Sequence, residues 1–358
     1  MPYIRQDILR PYIKDRIISE QSHPDAPWLR IYNYTNKATY DGIWDDVTMN
    51  CRGLVVDIEK ECVVSACLKK FWNYEEHAKQ GKPFPVGVPV VYEKLDGWYG
   101  SLYWLDGEPW VATRGSFMSP GAEWATAWIR AQFPRMSDAA QLELMRADVT
   151  HIFEIIAPCT RIVVQYSYVG LVHLATLQRE TGADCPLSDL GLWQAGVVQA
   201  ADYQTLCAMD AENAEGFVCH WPEAALRLKI KFAKYVELHA LYMQTSAHTL
   251  WKQLYDGGIV LGNMPEDLQQ WTETRMGQLI DARSDYEYEV VTAYREIRKN
   301  LSRTWGKDKT ARDKAIGMAI QAHPLRGMLM LYHRYQDALW KAVEPVGSET
   351  FRNDGEDL

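Results

Sequence analysis

The sequence lacks several features that would place a protein in a membrane, outside the cell or around a structural metal. No segment approaches the roughly 18 uninterrupted apolar residues of a membrane-spanning helix. The opening segment, MPYIRQDILRPYIKDR, is charged throughout and has no apolar signal core. The 7 cysteines are scattered and none forms a CxxC pair, which argues against a disulfide framework and a zinc site. We therefore expect a reduced, cytoplasmic protein that does not contact a membrane.

Histidine motifs, phosphate loops and repeats are also missing. The 9 histidines form no HxxxH or HxH pair, so a histidine metal cluster is not indicated. The segment GIVLGNM lacks the spacing of a phosphate-binding loop, and no internal repeat or low-complexity segment is present. A function therefore has to be sought in charged residues that lie within apolar segments.

Short apolar segments predict strands over the first two thirds of the chain. These segments are rich in Val, Ile and aromatic residues, namely CRGLVVDI, ECVVSACL, VPVVYEKL, GSLYWL, EPWVATR, THIFEIIA, GLVHLATL, AEGFVCHW and LRLKIKF. Helical periodicity interrupts them at Ala122–Phe133 and at Asp138–Ala147.

The pattern changes after Tyr235. Gly and Pro become rare, and apolar residues recur every three or four positions to about Val343, which predicts helices. A chain of 358 residues, 47% of them hydrophobic, is long enough for two domains. We predict an α+β domain with an N-terminal extension over residues 1–240 and an all-α domain over residues 241–358.

Charge is distributed unevenly. The net charge is −9, but residues Arg295–Lys314 contain eight Lys/Arg against three Asp/Glu, a balance of +5, which leaves −14 for the rest. A basic patch of this kind can bind phosphates despite an acidic whole. A solvated helix face is the alternative explanation.

Two strand segments place charges on one face. Side chains alternate along a strand, so Lys94 and Asp96 in YEKLDG share a face, as do Lys229 and Lys231 in LRLKIKF. Taken alone, the first pair would be an ordinary surface ion pair and the second an exposed amphipathic strand. Two like charges on one face nevertheless favour an anionic neighbour, either carboxylates or a polyphosphate.

Two acids lie in apolar surroundings. Glu154 lies inside HIFEIIAP and Glu215 precedes GFVCHW, where an unpaired charge is costly. Such acids are usually paired with a cation or bound to a metal. Arg52 and Lys70 add charges at strand edges.

The order of these motifs resembles the covalent nucleotidyltransferases, which include ATP-dependent DNA ligases, RNA ligases and mRNA capping enzymes. KLDG is followed by an acidic strand 60 residues later (154 − 94), EGFV 61 later (215 − 154) and KIK 14 later (229 − 215). Several further segments resemble the phage tRNA-repair RNA ligases (the RNA ligase 1 family). They are YNYT before CRGLVVD, then KKFWNYEE, FEIIAPCTRIVVQY, LQRETG and KIKFAKYVELH. The likeness extends more loosely into the helical region, through WGKDKTARDKAIGMA and RGMLMLYHRY. It departs at Trp98–Tyr99, where relatives commonly have small or aliphatic residues after the glycine of KLDG.

This resemblance implies a nucleotidyltransferase fold and a nucleophilic role for Lys94. The lysine would attack the α-phosphate of ATP, keep AMP as a phosphoramidate, and pass it to an RNA 5′-phosphate before a 3′-hydroxyl completes the join. An ordinary lysine pKa of about 10.4 is too high for this role. We expect Lys229, Lys231 and a bound metal ion to depress it.

The resemblance also implies a set of binding residues. ATP would be bound by residues spread over the first domain: Tyr32, Arg52, Lys70, Asp96, Gly97, Arg114, Glu154, Glu215, Lys229 and Lys231. Mg²⁺ or Mn²⁺ would be held by Asp96, Glu154 and Glu215, although Glu154 has the ribose hydroxyls as an alternative partner. Gly97 would make room for the nucleotide, and core packing competes with an adenine-binding role for Val163, Val172 and Leu174.

The helical domain would select the RNA. We predict that Arg298, Lys299, Arg303 and Lys307 bind its backbone. The expected substrate is RNA with 5′-phosphate and 3′-hydroxyl ends, such as a cleaved tRNA in a bacterial or phage-infected cytoplasm, prepared by a polynucleotide kinase-phosphatase. The alternatives are a DNA ligase or capping enzyme of the same superfamily, in which a β-rich domain normally follows KxK, and a catalytically silent RNA-binding module.

Overall fold

The computed structural model of the protein describes residues 5–199, 202–256, 265–302, 308–334 and 336–345. These residues form two compact units, one ending at His239 and the other beginning at Ala240. The division falls beside the boundary that the sequence predicts, while the functions assigned to the two domains stay predictions.

The first unit is built from three sheets. Its fourteen strands among the described residues are β1 (Ile18–Ser22), β2 (Leu29–Tyr34), β3 (Arg52–Asp57), β4 (Cys62–Ser65), β5 (Trp72–Asn73), β6 (Val90–Lys94), β7 (Trp98–Leu105), β8 (Glu108–Ala112), β9 (Val149–Ile156), β10 (Gly170–Gln178), β11 (Asp184–Cys185), β12 (Val197–Val198), β13 (Gly216–Trp221) and β14 (Leu226–Lys231). The sheets have the orders β1-β2-β3-β4, β11-β10-β9-β7-β8 and β12-β6-β13-β14-β5. Neighbouring strands are antiparallel except for β14 and β5.

All nine predicted strands are confirmed, because each is a short apolar segment with at least one buried face. Strands β1 and β2 were not predicted, and neither were the two-residue strands β5, β11 and β12. Strand β1 has one buried residue followed by four exposed ones, so it has no apolar alternation to detect.

Twelve helices occur among the described residues. They are α1 (Gln6–Lys14), α2 (Asn36–Tyr40), α3 (Asp46–Met49), α4 (Tyr74–Lys79), α5 (Pro120–Gln132), α6 (Asp138–Leu144), α7 (Tyr203–Ala208), α8 (Ala233–Gln244), α9 (Ala247–Asp256), α10 (Glu266–Leu301), α11 (Lys309–Gln321) and α12 (Arg326–Arg334), followed by 3-10 turns at Gln336–Val343. The two helices predicted in the first domain are α5 and α6. Each begins at a serine, Ser119 or Ser137, whose hydroxyl accepts a hydrogen bond from a first-turn amide.

The second sheet is the central layer of the first unit. One of its faces packs on the first sheet, where Ile152 and Tyr99 join Leu54 in one buried cluster. The other face packs on α5, where Trp98 and Ile155 contact a cluster that includes Ile129. Successive side chains on β7 and β9 therefore enter different cores, which explains why these strands are apolar on both faces.

The second unit is helical throughout its described residues. Its core joins α10, α11, α12 and the 3-10 turns through Val290, Ile316, Ile320, Leu329 and Leu339. The expected fold class, antiparallel sheets flanked by helices and followed by a helical region, is confirmed. Across the described residues, no helix is both long and apolar enough to cross a lipid bilayer.

Candidate active site

Lys94 and Lys231 lie on either side of one glycine in the third sheet. Gly216 of β13 pairs with Lys94 of β6 and with Lys231 of β14. Glu215 precedes this glycine and contacts both lysines, because its Oε2 lies 2.6 Å from Lys94 Nζ and its Oε1 lies 3.0 Å from Lys231 Nζ. Three motifs that are distant in the sequence therefore meet at one buried carboxylate.

This carboxylate holds Lys94 in its charged form. Burial lowers the pKa of Lys94, but Glu215, Glu154 and Asp96 outweigh burial and raise the pKa above its ordinary value. Burial raises the pKa of Glu215, and its lysine partners reverse that effect and lower it. We expected Lys229, Lys231 and a bound metal ion to depress the pKa of Lys94. Without a metal, its acidic neighbours dominate and raise the pKa instead.

Lys229 is the lysine whose pKa is depressed. Burial is the largest cause, and four cations add to it: Lys231, Lys94, Lys70 and Arg52. Together they lower the pKa of Lys229 to about 7. In the part of the chain that the structure describes, no ion pair joins Lys229 to a carboxylate. An anion placed beside Lys229 would favour its protonated form.

Glu154 is a carboxyl group that titrates near neutrality. It lies on β9, and its Oε1 accepts a hydrogen bond from the Gly97 amide at 3.0 Å. Burial is the main reason that the pKa of Glu154 is raised to about 7, although Lys94 acts in the opposite direction. A cation near Glu154 would favour its ionised form.

Asp96 is bonded on both oxygens by the protein itself. Its Oδ2 accepts hydrogen bonds from the amides of Val163 and Val164, both at 2.7 Å. Its Oδ1 accepts a hydrogen bond of 2.6 Å from the Tyr235 hydroxyl. Asp96 is 2% exposed, so these bonds fasten the turn after Lys94 to residues 163–164 and to the first turn of α8.

These contacts decide which carboxylates suit a metal. No three His, Cys, Asp or Glu side chains converge as a metal site in the described ranges. The predicted set of Asp96, Glu154 and Glu215 is therefore not assembled, because Asp96 binds amides and a hydroxyl while Glu215 binds two lysines. Mg²⁺ commonly takes one or two carboxylates and completes its shell with phosphates and water. Glu154 fits such a role best, and Glu215 fits it once a lysine is displaced.

Two glycines are required by close approach of strands. A β-carbon at Gly97 would lie 2.5 Å from the carbonyl oxygen of Ile155 on β9. A β-carbon at Gly216 would collide with the carbonyl oxygen of Ile230 on β14, and Gly216 has a φ of +146°. We expected Gly97 to make room for a nucleotide, but the neighbour that crowds it is β9.

Arg52, Lys70 and Arg114 lie in the same electropositive region as Lys229. The Arg52 guanidinium lies 5.1 Å from the centroid of the Tyr99 ring. Burial lowers the pKa of Lys70, and the charges of Arg52 and Arg114 lower it further. These three predicted residues are therefore brought together as a cluster of cations.

Tyr32 lies in the core instead of at the site. It is 0% exposed, and its hydroxyl donates to Glu20 Oε1 at 2.8 Å and accepts from Gln6 Nε2 at 2.7 Å. The prediction that Tyr32 contacts the nucleotide is wrong, because its ring fills the space between the first two sheets. Tyr34 is the tyrosine of this strand that approaches the cations, with Arg114 5.8 Å from its ring centroid.

The apolar residues expected near adenine have packing roles. Val172 is buried with Leu95 and Ile156, and Leu174 packs against the same cluster. Val163 is mostly buried, and its amide binds Asp96. Their contact with a base stays a prediction.

Trp98 and Tyr99 both pack in the interior of the first unit. Trp98 enters the core beside α5, and Tyr99 enters the core between the first two sheets. Tyr99 also contacts the Arg52 guanidinium, so it supports one of the cations of the site.

The predicted RNA-binding residues are only partly within the described chain. Arg298 and Lys299 are exposed near the end of α10. Arg303 and Lys307 lie outside the described residues. The prediction of a phosphate-binding patch in this region is therefore untested.

Sequence reasoning missed two residue groups that organise the site. Tyr235 was present in the motif KIKFAKY, but only the structure places its hydroxyl on Asp96. Asp184 of β11 accepts hydrogen bonds from His220 of β13 and Arg227 of β14, each at 3.0 Å. This second group joins the second sheet to the third, and no sequence pattern indicates it.

Comparison with known families supports the resemblance. The family model described as RNA ligase matches residues 50–186. This stretch includes Arg52, Lys70, Lys94 and Glu154, whereas Glu215 lies beyond it. The predicted resemblance to RNA ligases is confirmed over the matched residues.

Individual relatives are distant. A protein of Autographa californica nuclear polyhedrosis virus, whose name describes a bifunctional polynucleotide kinase/RNA ligase, is 25% identical over 267 residues. The match covers 64% of this chain and 38% of the viral protein, so the chain spans about two fifths of that relative.

Two solved structures from prokaryotes match much of the chain at low similarity. An archaeal ATP-dependent RNA ligase is 15% identical with a TM-score of 0.47, covering 76% of this chain and 75% of that one. An Aquifex aeolicus protein named as an ATP-dependent DNA ligase is 13% identical with a TM-score of 0.44, covering 92% and 80% respectively.

Proposed function

We propose that this protein is an ATP-dependent RNA ligase that joins an RNA 3′-hydroxyl to a 5′-phosphate through AMP bound covalently to Lys94. The observation that carries this proposal is the meeting of Lys94 and Lys231 at the Glu215 carboxylate. Beside them lies Lys229, which has no carboxylate partner among the residues that the structure describes. The family match over residues 50–186 supports the same chemistry.

The first step forms the covalent intermediate. The Lys94 ammonium first gives one proton to solvent, and its nitrogen then attacks the α-phosphorus of ATP. A nitrogen–phosphorus bond forms, the bond to the pyrophosphate oxygen breaks, and the nitrogen loses a second proton to solvent as pyrophosphate leaves. The ion pair with Glu215 opposes this step because it favours the charged lysine. A nucleotide that draws Glu215 towards other cations would therefore activate Lys94.

The surrounding cations have an electrostatic role in this step. Lys229, Lys231 and Arg52 would bind the phosphates and offset the negative charge that develops as pyrophosphate leaves. Lys229 suits this role because a phosphate beside it would restore its proton. Asp96 acts as a positioning residue that holds the turn after Lys94.

A divalent metal completes the proposed site. Glu154 and Glu215 would hold Mg²⁺ or Mn²⁺ together with the phosphates. When bound, the metal would supply positive charge that offsets the negative charge of the phosphates. Its two carboxylate ligands are drawn from the acids that already surround Lys94.

The later steps transfer AMP to RNA and release it. The 5′-phosphate oxygen of RNA attacks the lysyl-AMP phosphorus, which frees Lys94 and forms an RNA-adenylate. The 3′-hydroxyl oxygen then attacks the 5′-phosphate, and AMP leaves. We propose cleaved tRNA in the cytoplasm as the substrate, with a polynucleotide kinase-phosphatase preparing its ends, because the viral relative is named for both kinase and ligase.

The decisive experiment tests the intermediate. Wild type is incubated with α-labelled ATP and Mg²⁺, denatured and separated, and we expect label to remain on the protein. Lys94→Ala should carry none, whereas Lys79→Ala, at an exposed lysine of α4, should match wild type. Label on Lys94→Ala equal to wild type would refute the proposal.

Substrate class is decided by a second assay. We expect 5′-phosphorylated single-stranded RNA to be circularised or joined. Sealing of nicked duplex DNA without joining of RNA would instead identify a DNA ligase, the alternative within the same superfamily.

A further inference from the structure

A row of rings and cations lies in the first unit beside the candidate active site. The rings are those of Tyr34, Trp44 and Trp72, and the cations are Arg114, Lys70 and Lys82; we name these six residues the aromatic–cationic ladder. The Arg114 guanidinium lies 5.8 Å from the Tyr34 ring centroid. The rings of Tyr34 and Trp44 meet edge to face with their centroids 5.0 Å apart.

The two lysines extend the ladder away from Arg114. Lys70 Nζ lies between two rings, 5.4 Å from the centroid of Trp44 and 5.5 Å from that of Trp72. Lys82 Nζ lies 4.7 Å from the Trp72 centroid. Each member therefore contacts the next, although the six residues come from separate segments of the chain.

The ladder is accessible from solvent. Its three rings are half-buried, and so are Lys70 and Arg114, while Lys82 is exposed. A half-buried indole ring retains apolar surface that another flat group can cover. The ladder is therefore a surface feature that extends from the cation cluster of the active site.

Among the described residues, neither lysine of the ladder, Lys70 or Lys82, forms an ion pair, whereas Lys94 and Lys231 share Glu215. Lys70 also lies close enough to Arg52 and Arg114 for these charges to disfavour its protonated form. In a chain of net charge −9, two lysines without an ion pair, close to Arg52 and Arg114, favour the binding of an anion there.

Stability alone does not account for the arrangement. A solvent-exposed cation–π contact is a weak interaction, and it does not offset repulsion among several cations. Phosphate groups would remove that repulsion, and bases would cover the exposed ring surface. Single strands offer both groups at once, whereas a duplex keeps its bases stacked inside.

We propose that the aromatic–cationic ladder binds the single-stranded end of a nucleic acid and leads it to Lys94. Phosphates would contact Lys70, Lys82 and Arg114, and bases would stack on Trp44 and Trp72. That the strand is RNA rests on the proposed function. The ladder does not include the basic residues predicted to bind RNA in the helical domain.

The test measures binding of RNA and formation of lysyl-AMP on the same variants. Affinity for a fluorescent single-stranded 12-nucleotide RNA is followed by anisotropy at several salt concentrations. We expect Trp44→Ala to weaken binding by about 5- to 150-fold, the range for loss of one stacked base. Lys82→Glu should also weaken it and reduce the salt slope by about 0.7 or more. Lysyl-AMP formation should be unchanged in both.

Controls keep the proposal open to refutation. Lys14→Glu, at an exposed lysine of α1, makes the same charge change away from the ladder and should bind RNA as wild type does. Lys82→Glu changes an exposed side chain, so it gives a result even if Trp44→Ala fails to fold. Unchanged RNA affinity in Lys82→Glu, or equal loss in Lys14→Glu, overturns the proposal. Loss of lysyl-AMP in parallel with RNA binding also overturns it, because the ladder would then serve ATP.

The two proposals fail in different ways. Wild type that binds RNA through the ladder but forms no lysyl-AMP would refute the ligase function and leave the ladder intact. Wild type that forms lysyl-AMP but binds a duplex as tightly as a single strand would refute the ladder and leave the ligase function intact.

Discussion

Glu215 is the carboxylate on which the candidate active site depends, and Glu215→Gln should destabilise the first unit by about 3–5 kcal/mol. The side chain is 3% exposed and forms ion pairs of 2.6 and 3.0 Å with Lys94 and Lys231. Gln keeps the shape of the side chain but removes its charge, so both ammonium groups lose their counter-charge. The lysine side chains are 20% and 27% exposed, which places the cost towards the lower end of that range.

Thermal unfolding of the protein without ATP or metal measures this cost. For a domain of 150–250 residues, 1 kcal/mol corresponds to about 2–4 °C in Tm, so we expect Tm to fall by about 6–20 °C. Glu237→Gln makes the same chemical change at an exposed acid of α8. Its Tm should stay within about 2 °C of wild type, because surface substitutions cost little.

A second substitution separates electrostatics from shape. Adding Lys231→Met to Glu215→Gln removes one of the two unpaired charges, so the double variant should recover part of the lost Tm. Two results would show that Glu215 does not act by balancing the lysine charges. One is a Tm for Glu215→Gln equal to that of Glu237→Gln. The other is a double variant whose Tm falls further, by the full loss that Lys231→Met causes alone.

Two further predictions concern the other acids of the site. The pKa of Glu154 is raised from 4.5 to about 7, so its ionisation should cost stability as pH rises from about 4.5 to 7, by about 3 kcal/mol in total. Glu154→Gln should therefore flatten the dependence of the unfolding free energy on pH and be more stable than wild type at pH 8. Denaturant titrations at pH 5 and 8 measure this. Parallel pH dependences of the two proteins would contradict the prediction. Tyr235→Phe removes the hydroxyl that donates to buried Asp96 and should cost about 1.5–3 kcal/mol in the same titration. Tyr40→Phe, at a tyrosine that is 85% exposed, is its control, and equal losses would show that the bond to Asp96 contributes nothing.

Strand periodicity was sufficient to predict most of the sheet that carries the site. Lys229 and Lys231 share a face because side chains alternate, and the apolar segment before Lys94 forms a strand for the same reason. The pairing of β6 and β14 with the same central strand joins residues far apart in the sequence. That pairing was not predicted from the sequence.

The placement of the tyrosines could not be predicted from periodicity. Tyr32 and Tyr34 are two residues apart, so a regular strand would put both on one face. The register of β2 against β3 shifts between Tyr32 and Asn33, and an irregularity of this kind changes the direction of the residues that follow. Tyr32 enters the core, and Tyr34 contacts Arg114. Nothing in YNYT indicates the shift.

The direction of the Lys94 pKa shift was also beyond sequence reasoning. Burial and other lysines lower such a pKa, whereas carboxylates raise it, and the outcome depends on which charges lie nearest. The sequence contained all of these residues but not the 2.6 Å contact with Glu215. The same contact leaves Lys229 as the lysine whose pKa is lowered.

Glu215 and Gly216 are adjacent, yet they impose independent requirements on the same motif. Position 215 needs a negative charge between two lysines, and position 216 needs the absence of a β-carbon because Ile230 lies against it. A variant at the first position alters electrostatics with little change of shape, and a variant at the second alters strand spacing with no change of charge. Substitutions at these two adjacent positions therefore test the electrostatic and the steric requirements of the site separately.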